Sequence, residues 1–214
     1  AFLLFKNEKY FLHIWIDYYI NKLKVDTIFI YNNNSSNREN YIELQKEYGD
    51  KLVFIDWDFE YTFPYGQAQL TCYNHSLKIF GDNLNWMVFT DIDEFIYMEN
   101  ELDLQSFLSN YNKDELSTIL FKCLWFGCGN RIDYDPNNFL QKLTKCKKNV
   151  ISTLEKSKTT IRSGKCIHNP KNVIYIGPHE PIKYTSKFLW LNEDKIRFNH
   201  YFTITKWGKD RTWL

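Results

Sequence analysis

Four apolar runs, spaced by helical patterns, constrain this chain more than any other feature. The runs cover residues 1–5, 27–31, 51–57 and 86–91. Each is long enough for one buried strand. Between the first two, Phe11, Ile14, Trp15, Tyr18 and Tyr19 recur at amphipathic helical spacing within residues 8–23. Residues 39–48 and 67–80 read as helices, stopped by Gly49 and Gly81. Strand and helix alternating at this spacing predict an α/β fold, a parallel sheet with helices on both faces. Ligands of such sheets bind at the carboxyl ends of the strands. Four polar clusters fall there: Lys6, Asn7 and Glu8; residues 32–37; residues 56–58; and residues 91–94.

The fourth run carries the sharpest chemistry. Trp86, Met87, Val88 and Phe89 end abruptly in Asp91, Asp93 and Glu94, with Phe95 and Ile96 following. Carboxylates beside a buried strand are costly unless a cation or hydrogen-bond donors meet them. Period-two geometry puts Asp91 and Asp93 on one side of an extended chain. Two hard oxygen ligands at a strand end suit Mg²⁺ or Mn²⁺ carrying a substrate diphosphate. The plainer alternative is a polar strand end whose carboxylates cap the next turn.

After residue 102 the pattern loosens. Residues 104–111 read as a helix and residues 117–122 as a strand leading to Trp125, Phe126 and Gly127. Residues 130–160 are polar and weakly periodic, with Lys145, Lys147 and Lys148 clustered, and read as loop and one irregular helix. Short strands are expected at 173–176, 188–191 and 196–199, and a helix at 203–213. No internal repeat or linker appears. The length of 214 residues fits one domain, with residues 1–100 as its nucleotide-binding half and 101–214 as its acceptor half.

A formal net charge of +1 leaves no global field for nucleic acid. An aromatic content of 18% excludes disorder. The cysteines (Cys72, Cys123, Cys128, Cys146 and Cys166) are odd in number, widely spread and without a Cys-x-x-Cys pair. That pattern argues against a zinc knuckle and for reduced thiols in the cytosol, with a secretory lumen as the alternative. No run is long enough to cross a bilayer. No signal peptide precedes the first strand, and the absent initiator Met suggests a piece of a longer chain. A monomer is expected.

Several of these residues occur in an order that resembles the GT-A-fold glycosyltransferases. They are Phe5, Lys6, Asn7 and Glu8; a Trp-containing helix; Ile30 and Tyr31 with Asn32, Asn33, Asn34, Ser35, Ser36 and Asn37; Phe89 to Phe95; Trp125, Phe126 and Gly127; then Asn199, His200 and Tyr201. The closest likeness is to glycosyltransferase family ninety-two and its family-two-like relatives, over nearly the entire chain. The resemblance implies a Rossmann-like GT-A fold with a mostly parallel sheet flanked by helices and an irregular C-terminal acceptor-side third. It implies inverting transfer of a hexose from a nucleotide sugar to a glycan or glycoprotein hydroxyl, with Mn²⁺ or Mg²⁺. A UDP-sugar such as UDP-glucose or UDP-galactose is the favoured donor. Asn32 and Asn37 stand where the family usually has Asp.

The resemblance also distributes roles. Asp93 is the main metal ligand, Asp91 bridges to metal or ribose, and a late histidine, His200, completes the metal site. Asn7, Glu8, Asn32, Asn33, Asn34, Ser35 and Ser36 hold base and ribose, unless they only serve loops and caps. Phe5 offers backbone groups to the base. Lys165 and the lysine cluster face the diphosphate or simply solvent. An inverting enzyme needs a base for the acceptor hydroxyl, and Glu180 and Asp133 are the candidates by position. His179 lines the acceptor pocket or caps its loop. Trp125 and Phe126 stack on a sugar or pack in the core. The competing readings are a nucleotidyltransferase and a non-catalytic glycan-binding module. The first usually has a glycine-rich phosphate loop, absent after residues 1–5, and the second has no use for an Asp-x-Asp.

Overall fold

The computed structural model describes residues 1–8, 11–36, 39–59, 67–99, 103–127, 140 and 164–203. The first half runs as the periodicity predicts. Strand β1 (Phe2–Phe5) leads to helix α1 (Phe11–Asp17), which widens into a π-helical turn, Tyr18–Lys22. Strand β2 (Ile28–Asn32), helix α2 (Glu39–Tyr48) and strand β3 (Leu52–Asp56) follow. Helix α3 (Gln67–Phe80) then leads to strand β4 (Met87–Thr90). Gly49 ends α2 with φ of +56°, a backbone conformation glycine adopts without steric cost.

These four strands pair in the order β3, β2, β1, β4, all parallel. Alternation along them splits the core in two. Leu3, Phe5, Ile28, Ile30 and Val88 pack with Leu12, Trp15 and Ile16 of α1 and Tyr41 and Leu44 of α2. Phe2, Phe29, Tyr31, Met87 and Phe89 pack on the other face with Cys72 and Tyr73 of α3. Each such side chain taken from water contributes roughly 1.5–3 kcal/mol.

The second half continues the same sheet. Strand β5 (Glu94–Met98), helix α4 (Leu104–Leu108) and the long strand β6 (Leu116–Gly127) precede β7 (Gly164–His168). A hairpin, β8 (Val173–Ile176) and β9 (Pro181–Tyr184), lies beside α3. Strands β10 (Lys187–Leu191) and β11 (Ile196–Thr203) complete the described residues. The order extends from β4 to β7, β6, β11 and β5, with β10 also on β6.

Here the sequence reading needs correction. Strands β5, β7 and β9 were not expected, and β11 runs past Asn199 to include His200. The sheet is therefore mixed, because β7 is antiparallel to both β4 and β6, and β11 to β5. Parallel pairing still joins β1, β2, β3 and β4, and joins β6 to β10 and β11. β7 reads Gly, Lys, Cys, Ile, His, with no alternation, yet all its residues are buried. A strand buried on both faces loses the period-two signal. The expected loop over 130–160, apart from Leu140, lies outside the described residues, as do 204–213 of the expected final helix.

The order also forces curvature. β4 and β5 are joined only through residues 91–93, yet β7, β6 and β11 lie between them in the sheet. In a flat sheet they would stand about 19 Å apart. Four residue steps reach at most about 14 Å. The sheet must curl, and the acidic turn lies where it closes.

Candidate active site

The acidic stretch is a turn, not the extended segment that period-two spacing suggested. The Glu94 amide donates to the Asp91 carbonyl at 3.0 Å, and the Asp91 amide donates to the Glu94 carboxylate at 2.9 Å. The turn sends its carboxylates different ways. Asp91 keeps 41% of its side chain exposed, while Asp93 and Glu94 are buried at 2% and 1%.

Three other elements meet this turn because of strand register. Antiparallel pairing with β4 runs β7 so that its first residues lie toward the end of β4. Lys165 Nζ accordingly sits 2.9 Å from Glu94 and 3.2 Å from Asp91, with its side chain 4% exposed. Pairing of β11 with β5 puts His200 directly opposite Glu94. The His200 ring lies 3.5 Å from Asp93 through Nε2 and 3.7 Å from Glu94 through Nδ1. The Tyr201 amide donates to the Asp93 carbonyl at 2.8 Å, which fixes that register. β6, alongside β11, brings the Trp125 ring within 5.1 Å of the His200 ring. From α3, Gln69 donates to Asp91 at 3.0 Å and to the Tyr73 hydroxyl at 2.6 Å.

The electrostatics follow from burial against charge. Burial pushes the Glu94 carboxyl above its ordinary range, and neighbouring Asp91 adds to that against the pull of Lys165. Burial works to neutralise Lys165, but Asp91 and Glu94 outweigh it and hold the ammonium well above its usual pKa. Burial also opposes charge on Asp91, yet Lys165, His200 and His179 bring its carboxyl below the usual value. His200 is disfavoured as a cation by burial and favoured by Asp93, Glu94 and Asp91, with a net rise.

The expected nucleotide residues form a second cluster. Asn7 accepts from the backbone and side chain of Ser36 at 2.9 and 3.2 Å, and its amide donates to the Ser35 hydroxyl at 2.9 Å. Asn32 accepts from the Ser35 amide at 3.1 Å and donates to Asp56 at 3.4 Å. Asn34 donates to Asp58. Asn33 is buried, and the Phe59 amide reaches its side chain at 3.3 Å. Phe5 is buried against the Tyr41 ring, and its carbonyl accepts from the Asn33 amide at 2.9 Å. Glu8 is partly exposed beside Asn7. These groups tie the loops after β1, β2 and β3 together, the structural work Asn and Ser do well.

The remaining candidates separate. Glu180 and His179 are exposed in the tip of the β8 and β9 hairpin. That tip is pinned twice. Asn74 of α3 grips Ile176, donating to its carbonyl and accepting from its amide at 2.9 Å each. The Cys166 thiol donates to the His179 carbonyl at 3.0 Å. Phe126 packs against Tyr201 and is buried. Asp133 and the cluster Lys145, Lys147 and Lys148 lie outside the described residues. Sequence reading missed Gln69 and the bracing by Glu94. No local signal marks Gln69, which lies on the first turn of an ordinary amphipathic helix.

The residues present fit a divalent ion. Cis ligands of a six-coordinate Mg²⁺ or Mn²⁺ stand about 3 Å apart. Asp93 and His200, at 3.5 Å, are close to that spacing, and both donor types suit Mn²⁺. Among the described residues, no three His, Cys, Asp or Glu side chains are gathered so as to hold an ion by themselves.

Known structures share this fold. TarS 1–349 from S. aureus matches with a TM-score of 0.53 at 15% identity, over 94% of this chain and 59% of that one. A protein assigned as a glucose-1-phosphate thymidylyltransferase from Bacillus anthracis matches with a TM-score of 0.50 at 10% identity, over 98% and 92%. At these identities the likeness shows the fold and not the reaction. Sequence relatives narrow the family. A glycosyltransferase family 92 protein of Oryza sativa subsp. japonica is 24% identical over 92% of this chain, and one of Ricinus communis 26% over 91%. The chain spans about a third of the length of these relatives, 32% and 33%. The model of glycosyltransferase family 92 matches residues 2–213. With nearly every residue inside that match, the chain belongs to glycosyltransferase family 92.

Proposed function

We propose that this domain transfers a hexose from a UDP-sugar, UDP-glucose or UDP-galactose, to a glycan or glycoprotein hydroxyl, with inversion and with Mn²⁺ or Mg²⁺. The observation that carries the reading is the approach of Asp93 and His200 to 3.5 Å in a family 92 domain. Asp93 and His200 would hold the ion. When bound, it offsets the charge that develops on the leaving nucleoside diphosphate.

The chain's own residues prepare that event. Lys165 and Gln69 hold Asp91 at the solvent edge of the turn, beside the incoming donor. The Asn7 and Ser36 contacts keep the loops after β1 and β2 in one arrangement, a preformed wall for base and ribose. Glu180, on the pinned hairpin tip, takes the acceptor proton in this reading, with Asp133 as the other candidate base. The Trp125 ring, partly exposed beside His200, offers an apolar face to a sugar.

The test is transfer and donor hydrolysis with UDP-glucose and UDP-galactose, with and without Mn²⁺, in wild type and Asp93→Ala. The expected outcome is a Mn²⁺-dependent rate that falls about a hundredfold or more in the variant. Circular dichroism should be unchanged. A variant that keeps the wild-type rate with Mn²⁺ would sink the reading.

A further inference from the structure

The metal reading does not use the most deeply buried ion pair of the site. Lys165 lies on a strand buried at every position, with its ammonium between Glu94 and Asp91. Three features make it more than a surface lysine that has folded inward. Its side chain is 4% exposed, so the ammonium stays where the two carboxylates hold it. Asp91 is fixed from the other side by Gln69. The Glu94 oxygen that meets Lys165 is also the one that accepts from the Asp91 amide, so the ammonium is built into the turn itself.

This arrangement bears on where a dication can go. A carboxylate has lone pairs to spare, so Asp91 is not chemically saturated by two partners. The obstacle is charge. A dication bound to Asp91 would stand close to an ammonium that is itself 3.2 Å from the same carboxylate, and the like charges would repel. Asp93 points instead to His200. Resting on the metal-dependent reading above, we propose that Lys165 is a resident counter-cation that withholds Asp91 from the divalent ion. The ion then depends on Asp93 and His200 and binds well only together with the donor's diphosphate. This takes Asp91 out of the ligand set that the Asp-x-Asp spacing implies. It makes Lys165 a positioning residue: it touches neither ion nor donor, and it sets the order in which they bind.

Electron paramagnetic resonance of Mn²⁺ titrated into the protein, alone and with uridine diphosphate, decides it. In wild type, Mn²⁺ should bind about tenfold tighter with the diphosphate than without. Lys165→Met should bind Mn²⁺ alone about tenfold tighter than wild type, because Asp91 is released as a ligand. Adding Asp91→Asn to Lys165→Met should remove that gain. A purely structural lysine would give the opposite, a weaker Mn²⁺ site in Lys165→Met, and that result overturns the proposal. So does unchanged affinity. Lys165→Gln, which keeps a donor for Glu94 while losing the charge, makes the same test if the Met variant does not fold. The underlying reading fails differently. Wild type that binds no Mn²⁺ even with uridine diphosphate sinks the metal-dependent function. Wild-type binding that Asp93→Asn abolishes, with no gain in either Lys165 variant, sinks only the role of Lys165.

Discussion

At the scale of single residues, this molecule handles buried ionisable groups in two opposite ways. Around the acidic turn, Lys165 and Glu94 are buried together and hydrogen-bonded, which is what a buried charge requires. Elsewhere in the core, His168 is buried with the Thr118 hydroxyl at 3.1 Å and no charged partner among the described residues, and burial pushes its pKa down to about 3. The folded state therefore keeps His168 neutral, while the unfolded chain protonates it near the ordinary value of about 6.5. Between those values the unfolded state binds one more proton, so stability rises with pH there and levels off above the upper value. The slope from this group is about 1.4 kcal/mol per pH unit. Urea denaturation at several pH values across that window should show a shallower acid limb, by one proton, in His168→Gln. An identical slope in both proteins would mean that another group carries the acid sensitivity.

At the scale of elements, β7 is the strand on which the site depends. It joins the parallel half of the sheet to the rest and delivers Lys165 to the turn. Its first residue, Gly164, is glycine because of close approach. A Cβ there would overlap the Leu120 side chain and come within 3.1 Å of the Phe121 carbonyl oxygen. Gly164→Ala should therefore cost about 1–3 kcal/mol of stability. Leu120→Ala should cost stability too, by leaving a cavity. The double variant should lose less than the sum of the two, since each change makes room for the other. Strictly additive losses, measured by urea unfolding, would show that the glycine is not there for space.

For the whole molecule, the curl of the sheet makes the site a product of the entire described chain. The turn at 91–94 draws Gln69 from α3, Lys165 from β7 and His200 from β11. No helix among the described residues is long and apolar enough to cross a membrane. Because β4 pairs with β1 on one side and β7 on the other, removing the second half exposes a row of unpaired backbone groups. It also leaves the carboxylates of the turn without Lys165 and His200. A fragment of residues 1–99 should thus lack a cooperative thermal transition, read by circular dichroism, although it contains every strand of the parallel half. A sharp transition in that fragment would show that β4 is stable without β7.

The sequence by itself determined the first four strands, the helices between them and the polar clusters at their carboxyl ends. Those features are local: period 3.6, apolar runs and glycine stops act within a few residues. It also marked Asp91, Asp93 and His200, through an order of motifs resembling the family to which the chain belongs. The tertiary structure alone decided that 91–94 is a turn, that Lys165 serves carboxylates rather than standing open, and that Gln69 belongs to the site. It also decided that Asn7 and Asn32 spend their side chains on neighbouring loops. The reason is physical. β7 is buried on both faces and carries no periodic signature, so nothing near Lys165 in sequence announces the strand. Its partners Asp91 and Glu94 lie more than seventy residues away (the separation from Asp91 is 74). Only strand register, fixed by the curl of the whole sheet, brings these charges together.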